Sequence, residues 1–448
     1  MIKAYMNNSA KYFVALSMVG FLSACGTDGN TGEDAITTGS SQLVSAEVID
    51  DINASTMLQV VQANIDPAAT NAFGYKAVKI TYNTTGQDGE SVVASGLLVI
   101  PTATSEYQAY RVSQGEQPFS VSMLCDNHGT IFLDSEAPSN KEVANGLPDY
   151  SLAVLMTGYA GFAAIYPDYI GFGESNGTVH PYVMKEASST SGLDMIKASM
   201  KYMQDNNIVI NYQLYISGYS EGGYNAMALA QKVEESFSDR VNLMGVAPMA
   251  GPYNVEAMAN IELNASRTMA YPAFLADLAY SYGHYYDDLN ISDVTVQSEM
   301  ALATAFNGDY DTVPIHVILG LANGTTDYGF YTHTANELFQ DSFITEYQST
   351  PNAAIHTRFI ENNVDNWTPR SKMNLIHCVD DEIIPFSESS DTYGKFLNAG
   401  ADVTLSPIPT VYLSQQVDAS HPFVHANCGT EAYGAAVQWF NAIRQGDI

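Results

Sequence analysis

From about residue 75 onward, short apolar runs alternate with amphipathic stretches. Tyr75–Tyr82 and Ser91–Ile100 read as two strands joined by a Gly-containing turn. Phe119–Leu124 is a short apolar run that stops at Cys125-Asp126-Asn127-His128-Gly129, and Phe162–Tyr166 is another, stopped by Pro167. Met195–Met203 has apolar residues at helical spacing, and Gln213–Ile216 reads as a strand running into Gly218-Tyr219-Ser220. Val241–Val246, Met373–Ile376 and Thr410–Leu413 complete the strand candidates. This alternation predicts an α/β fold, a mostly parallel sheet covered by helices, with its chemistry in loops at the carboxyl ends of the strands. Between about 253 and 370 the strand signals fade. Helical segments rich in Tyr, Ala and Met take over, one holding Tyr271, Phe274, Leu275 and Leu278 and another Leu302 and Phe306. The stretch is too long for a loop in a compact domain, so it reads as an inserted helical cap. No repeat of period 20–50 residues stands out.

The first residues have a different character. Lys3 and Lys11 flank a short positive region, and Tyr12–Leu22 is an apolar stretch of 11 residues. That is short of the roughly 20 residues a membrane-spanning helix needs and fits the hydrophobic part of a signal peptide. It ends in Leu22-Ser23-Ala24-Cys25, which looks like a bacterial lipobox. The expectation is a lipoprotein signal over 1–24, lipid attachment at Cys25, and a Gly/Thr/Ser-rich flexible tether over 25–45. Gly26 follows the Cys in place of Asp, which implies outer-membrane sorting. The main domain is then 46–252 plus 371–448, with the cap at 253–370.

Composition narrows the partners. Across 448 residues there are 17 Lys+Arg against 49 Asp+Glu, a net charge of -32. Such a chain lacks the basic footprint of a nucleic-acid binder and is not drawn electrostatically to anionic lipid. Aromatics at 11% argue against disorder. The acidic surface is compatible with a saline medium, and acyl chains on Cys25 would reconcile it with a membrane. Cys125, Cys378 and Cys428 allow one disulfide and one free thiol. Cys378–Cys428 is the preferred pair, because both flank the C-terminal site elements described next. No metal motif or cofactor motif appears.

Gly218-Tyr219-Ser220-Glu221-Gly222 matches G-x-S-x-G, and so does Gly173-Glu174-Ser175-Asn176-Gly177. Context separates them. A nucleophile elbow needs a strand before it and a helix after it. Ser220 follows Leu214-Tyr215-Ile216 and precedes a helical run from Gly222 to Ala230. Ser175 follows a Gly-rich loop and precedes the structure-breaking His180-Pro181. A serine hydroxyl needs a general base, and the base an orienting acid. Downstream, His377-Cys378-Val379-Asp380-Asp381-Glu382-Ile383-Ile384-Pro385 follows a strand and offers three acids, and only His421 and His425 come after it.

Taken with His128-Gly129, Tyr166-Pro167-Asp168-Tyr169-Ile170-Gly171-Phe172-Gly173, His180-Pro181-Tyr182, Asn362-Asn363 and Asn366-Trp367-Thr368-Pro369, these motifs resemble the α/β-hydrolase superfamily. More narrowly, residues 75–445 resemble bacterial relatives of the fungal lipase-A-type secretory lipases. The resemblance implies an α/β-hydrolase fold with a helical cap over the acyl site. Its pattern H-G-x-x-D-x-x-V-P selects Asp381 as the acid, with Asp380 and Glu382 behind it, and Cys378 departs from the usual Gly. It places the base in a loop between the last strand and the last helix, which selects His421 over His425. It assigns the oxyanion hole to the backbone N–H groups of Thr130 and Glu221, and gives His377 a structural role.

The expected activity is that of a serine carboxylester hydrolase acting through an acyl-enzyme, on a small-molecule or lipid ester. The alternatives are a serine aminopeptidase or amidase of the same fold, which needs a carboxylate for the substrate amine, and a non-catalytic surface-binding lipoprotein. The cap's aromatics and methionines suit an apolar acyl pocket, or simply the cap's own core.

Overall fold

The computed structural model describes residues 42–103, 119–140, 151–264, 267–324, 328–351, 353–417 and 423–448. The signal segment, Cys25 and most of the proposed tether lie outside the described residues. Nine strands form one sheet: β1 (Leu43–Ile52), β2 (Gly74–Thr85), β3 (Ser91–Thr102), β4 (Val121–Asn127), β5 (Ala163–Pro167), β6 (Ile210–Tyr219), β7 (Asn242–Met249), β8 (Lys372–Cys378) and β9 (Val403–Ile408). Their order is β1-β2-β3-β5-β4-β6-β7-β8-β9. The first three strands and the β3–β5 pair are antiparallel, and every pair from β5 to β9 is parallel. The mostly parallel sheet read from the sequence is the one observed.

The central strands are apolar without alternation because both faces are covered. Leu214 and Ile216 of β6 pack into one core cluster, and their neighbours Tyr215 and Tyr219 into the other. Helices α1 (Ala54–Asn64), α2 (Lys185–Asp205) and α3 (Glu221–Ser236) lie on the two sides. Between β7 and β8 the described regular elements are helical: α4 (Val255–Glu262), α5 (Pro272–Tyr285), α6 (Ile291–Val294), α7 (Glu299–Ala305), α8 (Thr312–Ile318), α9 (Asp341–Ser349) and α10 (Ala354–Glu361), apart from one 3-10 turn. Tyr271, Phe274, Leu275 and Leu278 sit on or beside α5, and Leu302 on α7. Two further helices, α11 (Ser387–Asn398) and α12 (Val424–Gln445), complete the fold.

Two readings fail at the sheet edges. The tether, taken to run to residue 45, gives way to β1 at Leu43. Most of β1 faces solvent, with Val44 and Val48 half exposed, so it has no apolar face to read. The last strand is Val403–Ile408, and Thr410–Tyr412 is a 3-10 turn. Pro407 and Pro409 speak against a strand in sequence, yet an edge strand tolerates a missing N–H.

The helical insert is pinned where it leaves and rejoins the sheet. The Val364 N–H donates to the Tyr253 carbonyl at 2.9 Å, and the Asn254 N–H to the Glu388 carboxylate at 2.8 Å. The buried carboxylate of Glu234, on α3, accepts from the backbone N–H groups of Arg370 (3.0 Å) and Ser371 (2.8 Å) and from the Ser371 hydroxyl (2.6 Å). It thereby fixes the start of β8. Beyond β8, Cys378 and Cys428 form the expected disulfide, closing a sequence separation of 50, and Cys125 is a buried free thiol. Two stability losses follow, each measurable by urea unfolding. Glu234→Ala strands two backbone donors and destabilises by about 2 kcal/mol. The Cys378→Ser/Cys428→Ser pair, by releasing a loop of that length, destabilises by about 3 kcal/mol.

Candidate active site

Ser220 sits in the turn between β6 and α3 with φ 62° and ψ -124°. A non-glycine residue rarely occupies this region, and the surrounding structure has to hold it there. The hold is a set of close backbone approaches. A β-carbon on Gly218 would lie 2.1 Å from the Gly222 carbonyl oxygen, and one on Gly222 would lie 1.9 Å from that of Asn127. Only glycines fit at these two places. The Ser220 N–H donates to the Met249 carbonyl of β7 at 2.9 Å, and its own carbonyl accepts from the Gly223 N–H at 2.8 Å. The competing motif is structural. Ser175 is buried in a short turn, where its hydroxyl accepts from the Gly171 N–H (3.0 Å) and donates to the Phe172 carbonyl (2.9 Å).

The three acids after β8 have three different environments. Asp381 is buried, and one of its oxygens accepts from the N–H groups of Ile383 (3.0 Å) and Ile384 (2.9 Å). Its other oxygen faces two imidazoles, His425 Nδ1 at 2.6 Å and His377 Nε2 at 3.2 Å. Burial alone would raise the Asp381 carboxyl, but the two histidines outweigh it and hold it well below the ordinary carboxylate range. The stability this gives is full above the unfolded value and is lost as pH falls through the lower folded one. Asp380 is exposed and takes the Thr410 hydroxyl. Glu382 accepts from the N–H groups of Val424 (3.1 Å) and His425 (3.3 Å), satisfying two free donors at the start of α12.

The histidine that meets this acid is His425, and the expectation of His421 needs correction. His425 Nε2 lies 2.8 Å from Ser220 Oγ while Nδ1 faces Asp381. His421 lies outside the described residues. The reason is the placement of α12, which begins at Val424 and so carries His425 in its first turn. Glu382 holds the His425 N–H and the Tyr219 hydroxyl donates to its carbonyl at 2.7 Å. With Nδ1 donating to the carboxylate, Nε2 is left as the acceptor toward the serine. His377 has a supporting part: it also donates to the Ile384 carbonyl (3.0 Å) and its Nδ1 meets Ser389 Oγ at 2.8 Å.

The His128-Gly129-Thr130 loop passes close to Ser220, so that a β-carbon on Gly129 would lie 3.5 Å from Ser220 Cβ. The His128 ring stacks on Tyr169 at 3.9 Å, and the Thr130 hydroxyl meets the Tyr182 hydroxyl at 2.9 Å. Glu221 is the first residue of α3, and an N–H there has no partner within its own helix.

From Ser220 a cavity of about 120 Å³ runs up between the insert's helices. Its wall is apolar, with Val255 and Met258 of α4, Phe274 and Leu278 of α5, Phe343 of α9 and Phe359 of α10. Three carboxylates line it, and each is engaged: Glu221 with His180 at 3.0 Å, Glu262 with Arg267 at 2.9 Å, and Glu382 with α12. Among the described residues no cluster of His, Cys, Asp and Glu could hold a metal ion, and no helix is long and apolar enough to cross a membrane.

Solved structures share this fold. The rice cell wall degrading esterase LipA of Xanthomonas oryzae superposes with a TM-score of 0.71 at 21% identity, over 89% of this chain and 96% of its own. A Legionella pneumophila protein gives 0.72 at 20% identity, over 90% and 98%. Candida antarctica lipase A in its closed state gives 0.54 at 13%, over 89% and 91%. At these identities the likeness speaks to the fold alone. No curated protein matches the chain. The model of the secretory lipases matches residues 147–446, a span that takes in Ser220, Asp381 and His425 and well over half of the chain. The chain belongs to the secretory lipase family and is a carboxylic ester hydrolase.

Proposed function

We propose that Ser220, His425 and Asp381 carry the hydrolysis through an acyl-enzyme. The reading rests on one observation: a single imidazole bridges the serine hydroxyl at 2.8 Å and a buried carboxylate at 2.6 Å. Ser220 attacks the ester carbonyl as His425 takes its proton, and Asp381 orients and stabilises the imidazolium. The N–H groups of Thr130 and Glu221 hold the oxyanion. His425 returns the proton to the leaving alcohol. Water then attacks the acyl-enzyme with His425 again as base, which frees the acid and restores the serine. The helical insert acts as the cap, and its apolar cavity receives the acyl group. An amidase selecting a charged amine would need an uncommitted carboxylate at the cavity wall, and the three there already have partners.

The lipobox-like Leu22-Ser23-Ala24-Cys25 supports attachment of the enzyme to the outer membrane of a bacterial envelope through acyl chains on Cys25. The family name is in keeping with an exported protein. Loss of the two lysines of residues 1–24 would leave the mature chain at -34, the full-length -32 less those 2 charges.

Two experiments test these assignments. With p-nitrophenyl butyrate, Ser220→Ala and His425→Ala should each lower kcat/KM by roughly 10⁴-fold or more, while His421→Ala stays within a few-fold of wild type. Wild-type turnover by Ser220→Ala would refute the nucleophile, and the reverse ranking of the two histidines would refute the base. Separately, Cys25→Ser should abolish metabolic palmitate labelling and move the enzyme into the soluble fraction. Unchanged labelling would refute the anchor.

A further inference from the structure

The segment His180-Pro181-Tyr182 is a motif in the sequence with no part in the triad. It lies between the two elements assigned to the oxyanion and touches both. The His180 Nε2 is 3.0 Å from Glu221 Oε1, and the Tyr182 hydroxyl is 2.9 Å from the Thr130 hydroxyl. Both contacts are partly buried, with Glu221 and Tyr182 themselves enclosed. The segment itself is folded tightly, the Tyr182 N–H donating back to the His180 carbonyl at 2.9 Å. One side chain of the insert locks it. Ser281 of α5 accepts from the Tyr182 N–H and donates to the His180 carbonyl, both at 2.9 Å.

The His180 ring has a defined charge state. Nδ1 faces the Ile170 carbonyl at 2.7 Å and Nε2 faces a carboxylate, so both partners are acceptors and both nitrogens have to donate. That is an imidazolium. Its need is clear from where Glu221 stands. This residue offers its backbone N–H to the oxyanion while carrying a buried carboxylate on the same residue. Left bare in a low-dielectric site, that charge would oppose the negative charge developing on the substrate oxygen.

We propose that His180 and Tyr182 are positioning residues for the oxyanion: the His180 imidazolium holds and neutralises the Glu221 carboxylate, and the Tyr182 hydroxyl fixes the Thr130 loop. The inference rests on the assignment of the Thr130 and Glu221 N–H groups as oxyanion donors. The groups facing His180 are Glu221 from α3, Asp277 from α5, and Tyr169, Phe172 and Tyr182 from its own loop and flank. Burial pulls the imidazolium down, but Glu221, Asp277 and the Ile170 carbonyl raise it above the ordinary histidine value. Asp277 is itself pushed up to about 7 by burial and by Glu221, against the pull of His180. As pH rises through that raised value His180 loses its proton, which exposes Glu221 and slows turnover.

Steady-state kinetics of the full-length enzyme on p-nitrophenyl butyrate, across pH, test the clamp. His180→Gln should lower kcat by about 30-fold with KM within about 3-fold, the mark of an interaction made in the transition state. Adding Glu221→Gln removes the unopposed charge and should recover kcat to within about 5-fold of wild type. Packing loss alone predicts no such recovery. The alkaline limb of kcat should vanish in Glu221→Gln and move to lower pH in Asp277→Asn. Tyr182→Phe should lower kcat about 5-fold at unchanged pH profile. Should His180→Gln not fold, Glu221→Gln and Tyr182→Phe still carry the test. Wild-type kcat in His180→Gln, or no recovery in the double variant, overturns the clamp. If Ser220→Ala is inactive in the same assay, the serine reading survives that outcome. If it turns over at the wild-type rate, both fall.

Discussion

The active centre depends on one backbone constraint: a serine held at φ 62°, in a conformation that costs about 1–3 kcal/mol for a residue with a side chain. Nothing local favours it. It persists because β4, β6 and β7 run parallel and side by side, which brings the Asn127 and Met249 carbonyls to the turn, and because Gly218 and Gly222 leave room for the crossing backbones. The same constraint aims the hydroxyl away from the sheet and presents the first N–H of α3 beside it. Asp381 after β8 and His425 on α12 then only have to reach that one point.

Much of this was legible in the sequence, because the elements concerned are buried on both faces and leave uninterrupted apolar runs. The elbow was legible for a stricter reason: its glycines are required by steric contact. Two things were hidden. The edge strands β1 and β9 are exposed, or interrupted by proline, and so show no apolar face. The base was misplaced by reading a polar loop as its seat, when the loop's end is the first turn of a helix. A signal for His425 did exist. Cys378 lies three residues before Asp381 and Cys428 three residues after His425, so the disulfide expected from the sequence draws the segments that carry those two residues together.

A chain with 49 acids and 17 basic residues leaves most of its carboxylates without a lysine or arginine of their own. It uses neutral donors. Asp381 takes two backbone N–H groups, Asp168 the Ser95 hydroxyl at 2.6 Å and the Ser139 N–H at 2.8 Å, and Glu234 adds two backbone N–H groups and a serine hydroxyl to its ion pair with Arg370. Such carboxylates act as anchors for loops, because each draws two or more chain segments to a single point. In the active centre the side-chain partners of Asp381 are the rings of His425 and His377. The surface acids and the buried acids thus do different work. The first keep the protein dispersed in water. The second fix where its loops lie.

Ser220 and His425 are far apart along the chain, and His425 rides on α12, which a disulfide joins to the segment before Asp381. A chain emerging from synthesis or from a membrane pore therefore exposes its elbow long before it owns a proton acceptor. Until α12 docks, the Ser220 hydroxyl has no His425 ring beside it. For an enzyme that attacks esters, and that is made inside a cell bounded by ester lipids, the order of the elements along the chain is itself a safeguard.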